Sequence, residues 1–242
     1  MEPHLPVSAR LAWWGTAWLR GHVVIDLVLD AVIGDDATHV VAGLPDVEGS
    51  VPLARALAEL RISAVPTLGL ALPGPGDPVG IGGPADFSTA ALVAEEAVVA
   101  GAIGLVPRRV GGAVEWTAYA ASPRQLVDVG EADRGLRRAL QESASALVAL
   151  DVARWRPEAA DALMDLHRAP RLAPPPGTPG RCAGLAARSL HARAIVALAL
   201  EDEGGAVSSA ETAARRAALQ PLAAAARRGL AAACSPEVWP DA

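Results

Sequence analysis

Few residues in this chain have the type and spacing to do chemistry. Among them is a pair of carboxylates, Glu95 and Glu96, downstream of a glycine- and proline-rich loop that carries Asp77. Adjacent carboxylates can act as general acid and base. On a helix, neighbours at i and i+1 diverge, so the two would not face one another. The loop, 73–84, alternates glycines that open backbone angles with prolines that fix φ. It is therefore shaped, and long shaped loops in compact domains are often functional. Its glycines read G-x-G-x-x-x-G, neither a dinucleotide fingerprint nor a phosphate loop. The prolines remove amide donors, the loop has no basic residue, and Asp77 and Asp86 add negative charge. Phosphate binding is not expected of it.

The other reactive types are scattered. His4, His22, His39, His167 and His191 show no i,i+3 or i,i+4 spacing, so no metal site is expected. There is no G-x-S-x-G, and Ser143 and Ser145 read as helix packing residues. Cys182 opens a helix beside Arg181, where a thiolate is stabilised, but free cysteines are more commonly inert and buried. Cys182 and Cys234 match no zinc or redox spacing. Trp13, Trp14 and Trp18 form the main aromatic cluster. Trp14 and Trp18 share a helical face with Val7 and Leu11 and read as core. Trp13 lies about 100° from Trp14 and is the one free to meet a ligand. The ligand-binding candidates are therefore Trp13, Asp77, Glu95 and Glu96, with no catalytic residue, metal or cofactor expected.

The elements that position these residues follow from periodicity. A first helix spans about 6–20. A second, about 22–33, carries Val24, Leu27, Val28 and Ala31 inward. THVVAGL at 38–44 is a β-branched strand, 52–60 a short helix, and 67–72 a second strand. Strand, helix and strand in succession predict a βαβ unit with parallel strands. A helix over 86–99 follows the loop, with Phe87, Ala91, Ala94 and Val98 inward and Leu92 and Val99 widening the arc. Gly111-Gly112 between two apolar runs predicts a tight hairpin of 103–110 with 113–120. That register pairs Arg108 with Glu115 and Pro107 with Trp116. Proline there predicts an edge or bulged strand.

After Ser122–Gly130 only helical patterns remain. Asp128 and Glu131 resemble a capping box opening a helix to about 154, with Leu136, Leu140, Leu147 and Leu150 apolar. A short helix over 157–168, a proline-rich connector at 169–181 and a helix over 182–203 follow. Gly204-Gly205 closes that helix, and Ser208 with Glu211 opens a last one, which Pro221 should kink or divide. The expected class is α+β. Region 1–125 is a small mixed β-sheet with covering helices, and region 126–242 is an all-helical C-terminal region packed against it.

Composition bounds the function. Of 242 residues, 52% are hydrophobic, enough for a sizeable core. The net charge is −6. Residues 1–150 carry 10 Arg against 17 acids, and 151–242 carry 11 against 10. Neither half suits nucleic acid or an anionic membrane. No basic n-region precedes an apolar run, and Arg188, His191 and Arg193 interrupt the most apolar helix. A cytoplasmic protein with reduced thiols is expected. Lysine and asparagine are absent, which points to a bacterial genome of high G+C content. WWGTAWLRG at 13–21, LALPGPGDPVGIGGPADF at 70–87 and ESASAL at 142–147 resemble an uncharacterised protein family of high-G+C bacteria. That family has no established activity, so the resemblance implies a shared fold and transfers no site. The sequence leads to a non-enzymatic binding or scaffold protein, with a protein partner or self-association. Its rival is a small-molecule binder or enzyme with a pocket between loop 73–84 and the helical region.

Overall fold

The computed structural model describes residues 4–149, 172–201 and 209–240. Helices α1 (Val7–Leu19) and α2 (Ile25–Ile33) open the chain. Strands β1 (Thr38–Ala42) and β2 (Ser50–Pro52), helix α3 (Leu53–Ile62) and strand β3 (Gly69–Ala71) follow. Helix α4 (Ala85–Ala94) leads into β4 (Ala97–Ala100), β5 (Ile103–Val110) and β6 (Ala113–Ala120). Helices α5 (Val129–Ala149), α6 (Gly180–Glu201) and α7 (Ser209–Ala233) precede a short 3-10 turn, Pro236–Val238. The fold is α+β, a mixed six-stranded sheet with covering helices and a helical C-terminal region.

The sheet runs β2-β1-β6-β5-β4-β3. Its hairpin has the expected register, with Pro107 opposite Trp116 and Arg108 opposite Glu115. The βαβ unit expected from β1 and β3 does not form. β1 and β3 are separated by three strands, and β1 instead takes β2 antiparallel and β6 parallel. The chain doubles back at β2 before α3 begins, so β2 fills the edge of β1 that a crossover strand would have used. Strand β5 is central only at Ile103–Leu105, where β4 pairs with it. From Val106 onward its outer side has no sheet partner among the described residues, and Pro107 lies in that half, where a missing N–H costs no ladder bond.

The helix expected over 86–99 ends at Ala94. Glu95 takes a left-handed conformation (φ 59°), and Ala97–Ala100 become strand β4. The β-branched pair Val98 and Val99 suits a strand buried on both faces. Leu92, expected inward, is exposed. In α2 the buried pair is Val28 and Val32, whereas Val24 and Leu27 stand in solvent. In α5, Leu136 is buried and Leu140 faces out, because Val129, Ala132, Leu136 and Ala139 set the inner stripe. Asp128 Oδ1 accepts the Glu131 N–H at 2.8 Å, the N-cap bond the sequence predicted. Helix α7 continues undivided through Pro221, which lies on its exposed side. The helix expected over 157–168, the Gly204-Gly205 stop and Ser208 fall outside the described residues.

One core joins both regions. It runs from α1, α2 and α3 through one sheet face (Leu70, Val98, Leu105, Trp116) to Leu136, Leu185, Leu190 and Leu230 of the helices. The opposite face carries a smaller cluster in which α4 sets Phe87 and Ala91 against Ala71, Val99 and Val106. Phe87 lies flat over Gly104, where any Cβ would strike its ring.

Candidate functional site

The glycine-rich loop is clipped at both ends. Gly74 and Asp77 exchange two backbone hydrogen bonds of 2.9 Å, a tight reversal that Gly76 (φ 72°) makes possible. The Asp77 carboxylate then accepts from Arg227 at 3.2 Å and Arg228 at 2.8 Å, both on α7. At the far end, Arg124 donates to the carbonyls of Leu70 (2.7 Å) and Gly80 (2.9 Å). The same guanidinium reaches Ser235 Oγ and Glu237 Oε1, and its side chain is only 5% exposed. Ser235 Oγ in turn accepts the Leu70 N–H, so the middle of edge strand β3 is sealed by side chains. A Cβ at Gly69 would overlap the Arg124 guanidinium. Sequence reasoning did not single out Arg124, because nothing local marks an arginine whose acceptors lie far along the chain.

A small cavity of about 180 Å³ opens beside this clip, lined by Asp77, Val79, Gln125, Leu126, Val127 and Arg228. Its lining joins the loop to residues 125–127 and to Arg228 of α7. Of the four candidates it holds Asp77 alone.

Glu96 does something else. Its Oε2 accepts the Ser8 N–H at 2.9 Å, inside the first turn of α1. A carboxylate from a distant segment thus supplies the anion that the N-terminus of α1 lacks locally. Burial pushes its pKa up, and the bonds from Ser8 and the charges of Arg193 and Arg109 only partly offset this. Glu95 is exposed and diverges from it, as their adjacency predicted. Trp13 is buried, and its Nε1 donates to the Ala233 carbonyl at 3.0 Å. Trp239 Nε1 donates to the same oxygen at 2.9 Å, so two indoles satisfy the C-terminal end of α7. Trp13 is therefore a core residue, and Trp14, expected inside, is the partly exposed one.

A second polar cluster had no sequence signal. His39 is buried on β1, its Nε2 bonds Asp36 at 3.1 Å, and Trp116 Nε1 donates to its Nδ1 at 3.3 Å. Accepting at Nδ1 fixes the proton on Nε2, so both ring nitrogens are occupied. Burial lowers the His39 pKa, and Asp36 restores part of it. Burial works to raise the Asp36 carboxyl, but the bonds from Arg109 and His39 outweigh it and hold it low. With no free ring nitrogen, the pair braces the sheet and has none to offer a substrate. Cys182 and Cys234 are both buried and free. Burial pushes Cys182 up to about 11 and Cys234 well above its ordinary value, the opposite of an activated thiolate. Among the described residues no three His, Cys, Asp or Glu side chains come together.

Residues 8–132 match the N-terminal domain of Rv1486c-like proteins, and residues 130–231 match the C-terminal domain. The chain belongs to the Rv1486c-like family. Two relatives, the uncharacterised proteins Rv1486c and MT1533, come from Mycobacterium tuberculosis strains H37Rv and CDC 1551. Each is 30% identical over 97% of this chain and 99% of its own length. No solved structure matches the chain. The family is the high-G+C bacterial one that the three motifs resemble, and its members carry no established function. The two family domains meet at residues 130–132, at the start of α5.

Proposed function

We propose that this protein is a non-enzymatic cytoplasmic binding protein that docks a protein partner through α2 and the end of α3. The observation that carries the reading is a group of exposed apolar side chains there. Val24 is 62% exposed, Leu27 48% and Ile62 76%. Val24 is the residue that precedes α2, and Leu27 lies in its first turn. Arg61 donates to the Trp18 carbonyl and lies 3.6 Å over the Trp18 ring, which brings the end of α3 to the end of α1, just before α2. Asp26 and Asp30 stand exposed on α2, so the complementary surface is apolar with a basic fringe. Contiguous exposed apolar surface is a mark of interaction sites.

Two further observations support the setting. Both cysteines are free thiols, in keeping with a reducing compartment. One helix, Gly180–Leu200, is long and apolar enough to cross a membrane by length and composition. Its Cys182, Leu185, Ala186, Leu190 and Val196 are buried in the protein core, which favours a packed helix.

The test is affinity capture from native lysate, with mass spectrometry of proteins and small molecules, using wild type and the triple variant V24S/L27S/I62S. A protein retained by wild type and lost by the variant supports the reading. Equal retention by both, or one stoichiometric metabolite and no protein, overturns it.

A further inference from the structure

We propose that His39, Asp36 and Trp116 form a pH-sensitive latch on the connection between α2 and β1, and that a second proton on His39 opens it. Its regulatory meaning rests on the partner surface proposed for α2: the latch fixes the end of that helix at neutral pH and releases it in acid. Each ring nitrogen of His39 already has a partner. Nε2 bonds Asp36 Oδ2 at 3.1 Å, and Nδ1 accepts from Trp116 Nε1 at 3.3 Å. A second proton can enter only at Nδ1, where it meets the indole N–H donor to donor. Neither group has water to turn to, since both side chains are buried. One side of the contact must yield. Trp116 lies in the main core, and moving it would open a void there. The softer side is segment 34–38, where Gly34, Asp35, Ala37 and Thr38 are exposed and Asp36 is partly so.

The charges around the ring push the same way. Asp36 already accepts from Arg109 on Oδ1 and has Arg10 Nη2 3.7 Å from Oδ2. An imidazolium is the third cation on one carboxylate. Burial holds His39 below its ordinary pKa, Asp36 opposes this, and Arg10 and Arg109 add to it. Asp35 of the connection and Glu96, just before β4, act on Arg10 and belong to the same balance.

Arg10 carries the change to α2. Its Nη1 donates to the Ala31 carbonyl at 3.4 Å, in the last turn of the helix, while its Nη2 faces Asp36. Gly34 (φ 55°) ends α2 against the same guanidinium, and a Cβ there would lie 2.8 Å from Nη1. When Asp36 moves outward, Arg10 loses its counter-charge and α2 loses the hold on its last turn. Val28 and Val32 stay buried in the core, so the change is local.

The experiment is amide exchange of the full-length protein by NMR from about pH 7.5 to about pH 5, corrected for intrinsic exchange rates and repeated in low urea. The reporters are the Gly34, Asp36 and Ala37 amides, which donate to the carbonyls of Asp30, Ile33 and Gly112. Leu57 and Leu136 report global unfolding. Opening at the three reporters should rise as His39 titrates, by up to about tenfold for each unit that His39 lies below its free value. It should be nearly independent of urea, because a local opening exposes little surface. The Trp116 indole N–H signal should shift with the same midpoint. His39→Gln keeps a donor and an acceptor but cannot titrate, and should remove the pH dependence. Arg109→Gln, at a side chain 64% exposed, takes one cation away and should move the midpoint up by about half a unit or more. The proposal fails if the reporters open equally across the titration, or if their opening has the urea dependence of Leu57 and Leu136. It fails equally if His39→Gln opens in acid as wild type does, or if Arg109→Gln leaves the midpoint where it was. None of these readings needs a partner, so failure of the latch and failure of the docking surface are separately visible.

Discussion

The α+β region and the helical region fill their interiors differently. Around the sheet the buried side chains are large: Trp13, Trp116, Phe87, Leu57, Leu68, Leu70 and Leu105. In the helices much of the buried surface is alanine, including Ala186, Ala192, Ala226 and Ala231–Ala233. Small side chains let helices approach closely, and a Cβ at Gly229 on α7 would overlap Ser189 on α6. They also bury little area per residue, and area sets hydrophobic stabilisation. The helical region therefore leans on the sheet. Trp13 of α1 reaches the end of α7, Arg124 ties β3 to Ser235 and Glu237, and Asp77 ties the loop to Arg227 and Arg228.

Separating the regions is the harshest test of that dependence. Residues 126–242 expressed alone should lose cooperative melting, read by circular dichroism and calorimetry. A monomeric fragment as stable as the whole chain would contradict the comparison. Trp13→Ala comes next, because it empties a core site and leaves the Ala233 carbonyl with Trp239 Nε1 alone of its two indole donors. Its expected cost is roughly 3–5 kcal/mol in denaturant midpoint. Trp13→Phe should recover most of the packing and only lack the hydrogen bond. Arg124→Ala strands buried acceptors on β3 and the loop, and should cost about 2–4 kcal/mol, with faster amide exchange at Leu70.

pH distinguishes polar groups within the sheet region. His39 titrates below its ordinary 6.5 in the fold, so the unfolded chain binds that proton more tightly. Stability should therefore fall as pH drops below 6.5, and protonation at Nδ1 would also displace the Trp116 bond. His39→Gln should flatten that slope. Asp36, held below 3.8, adds a further loss at lower pH. Glu96 has the opposite sign. Its pKa is raised above 4.5, so the fold binds its proton more tightly and gains stability as pH falls toward 4.5. Glu96→Gln, which keeps an acceptor for Ser8, should be more stable than wild type at neutral pH and converge with it in acid. Denaturant midpoints across that range check both signs. The smallest effect belongs to Arg108 and Glu115, an exposed pair across the hairpin. Its double-mutant coupling should be under about 1 kcal/mol and shrink with salt.

What the sequence determined by itself was local. Two glycines between apolar runs fixed the hairpin and its register, because a two-residue turn allows one pairing. Asp128 and Glu131 marked the start of α5, because a cap bond spans only three residues. The long apolar and alanine-rich patterns gave the helices and the α+β class. Tertiary structure decided what depends on partners far along the chain. Periodicity found β1 and β3 but could not choose their neighbours, because a strand edge accepts any strand the connections deliver, and β2 and β6 occupy the two edges of β1. Trp13 lay off the face read as apolar, yet α7 arrives on its side and buries it. Glu96 read as half of a carboxylate pair, but the left-handed turn at Glu95 re-aimed it at α1. Arg124 carried no signal at all, since its acceptors at Leu70, Gly80, Ser235 and Glu237 come together only when the sheet edge, loop and C-terminal turn meet.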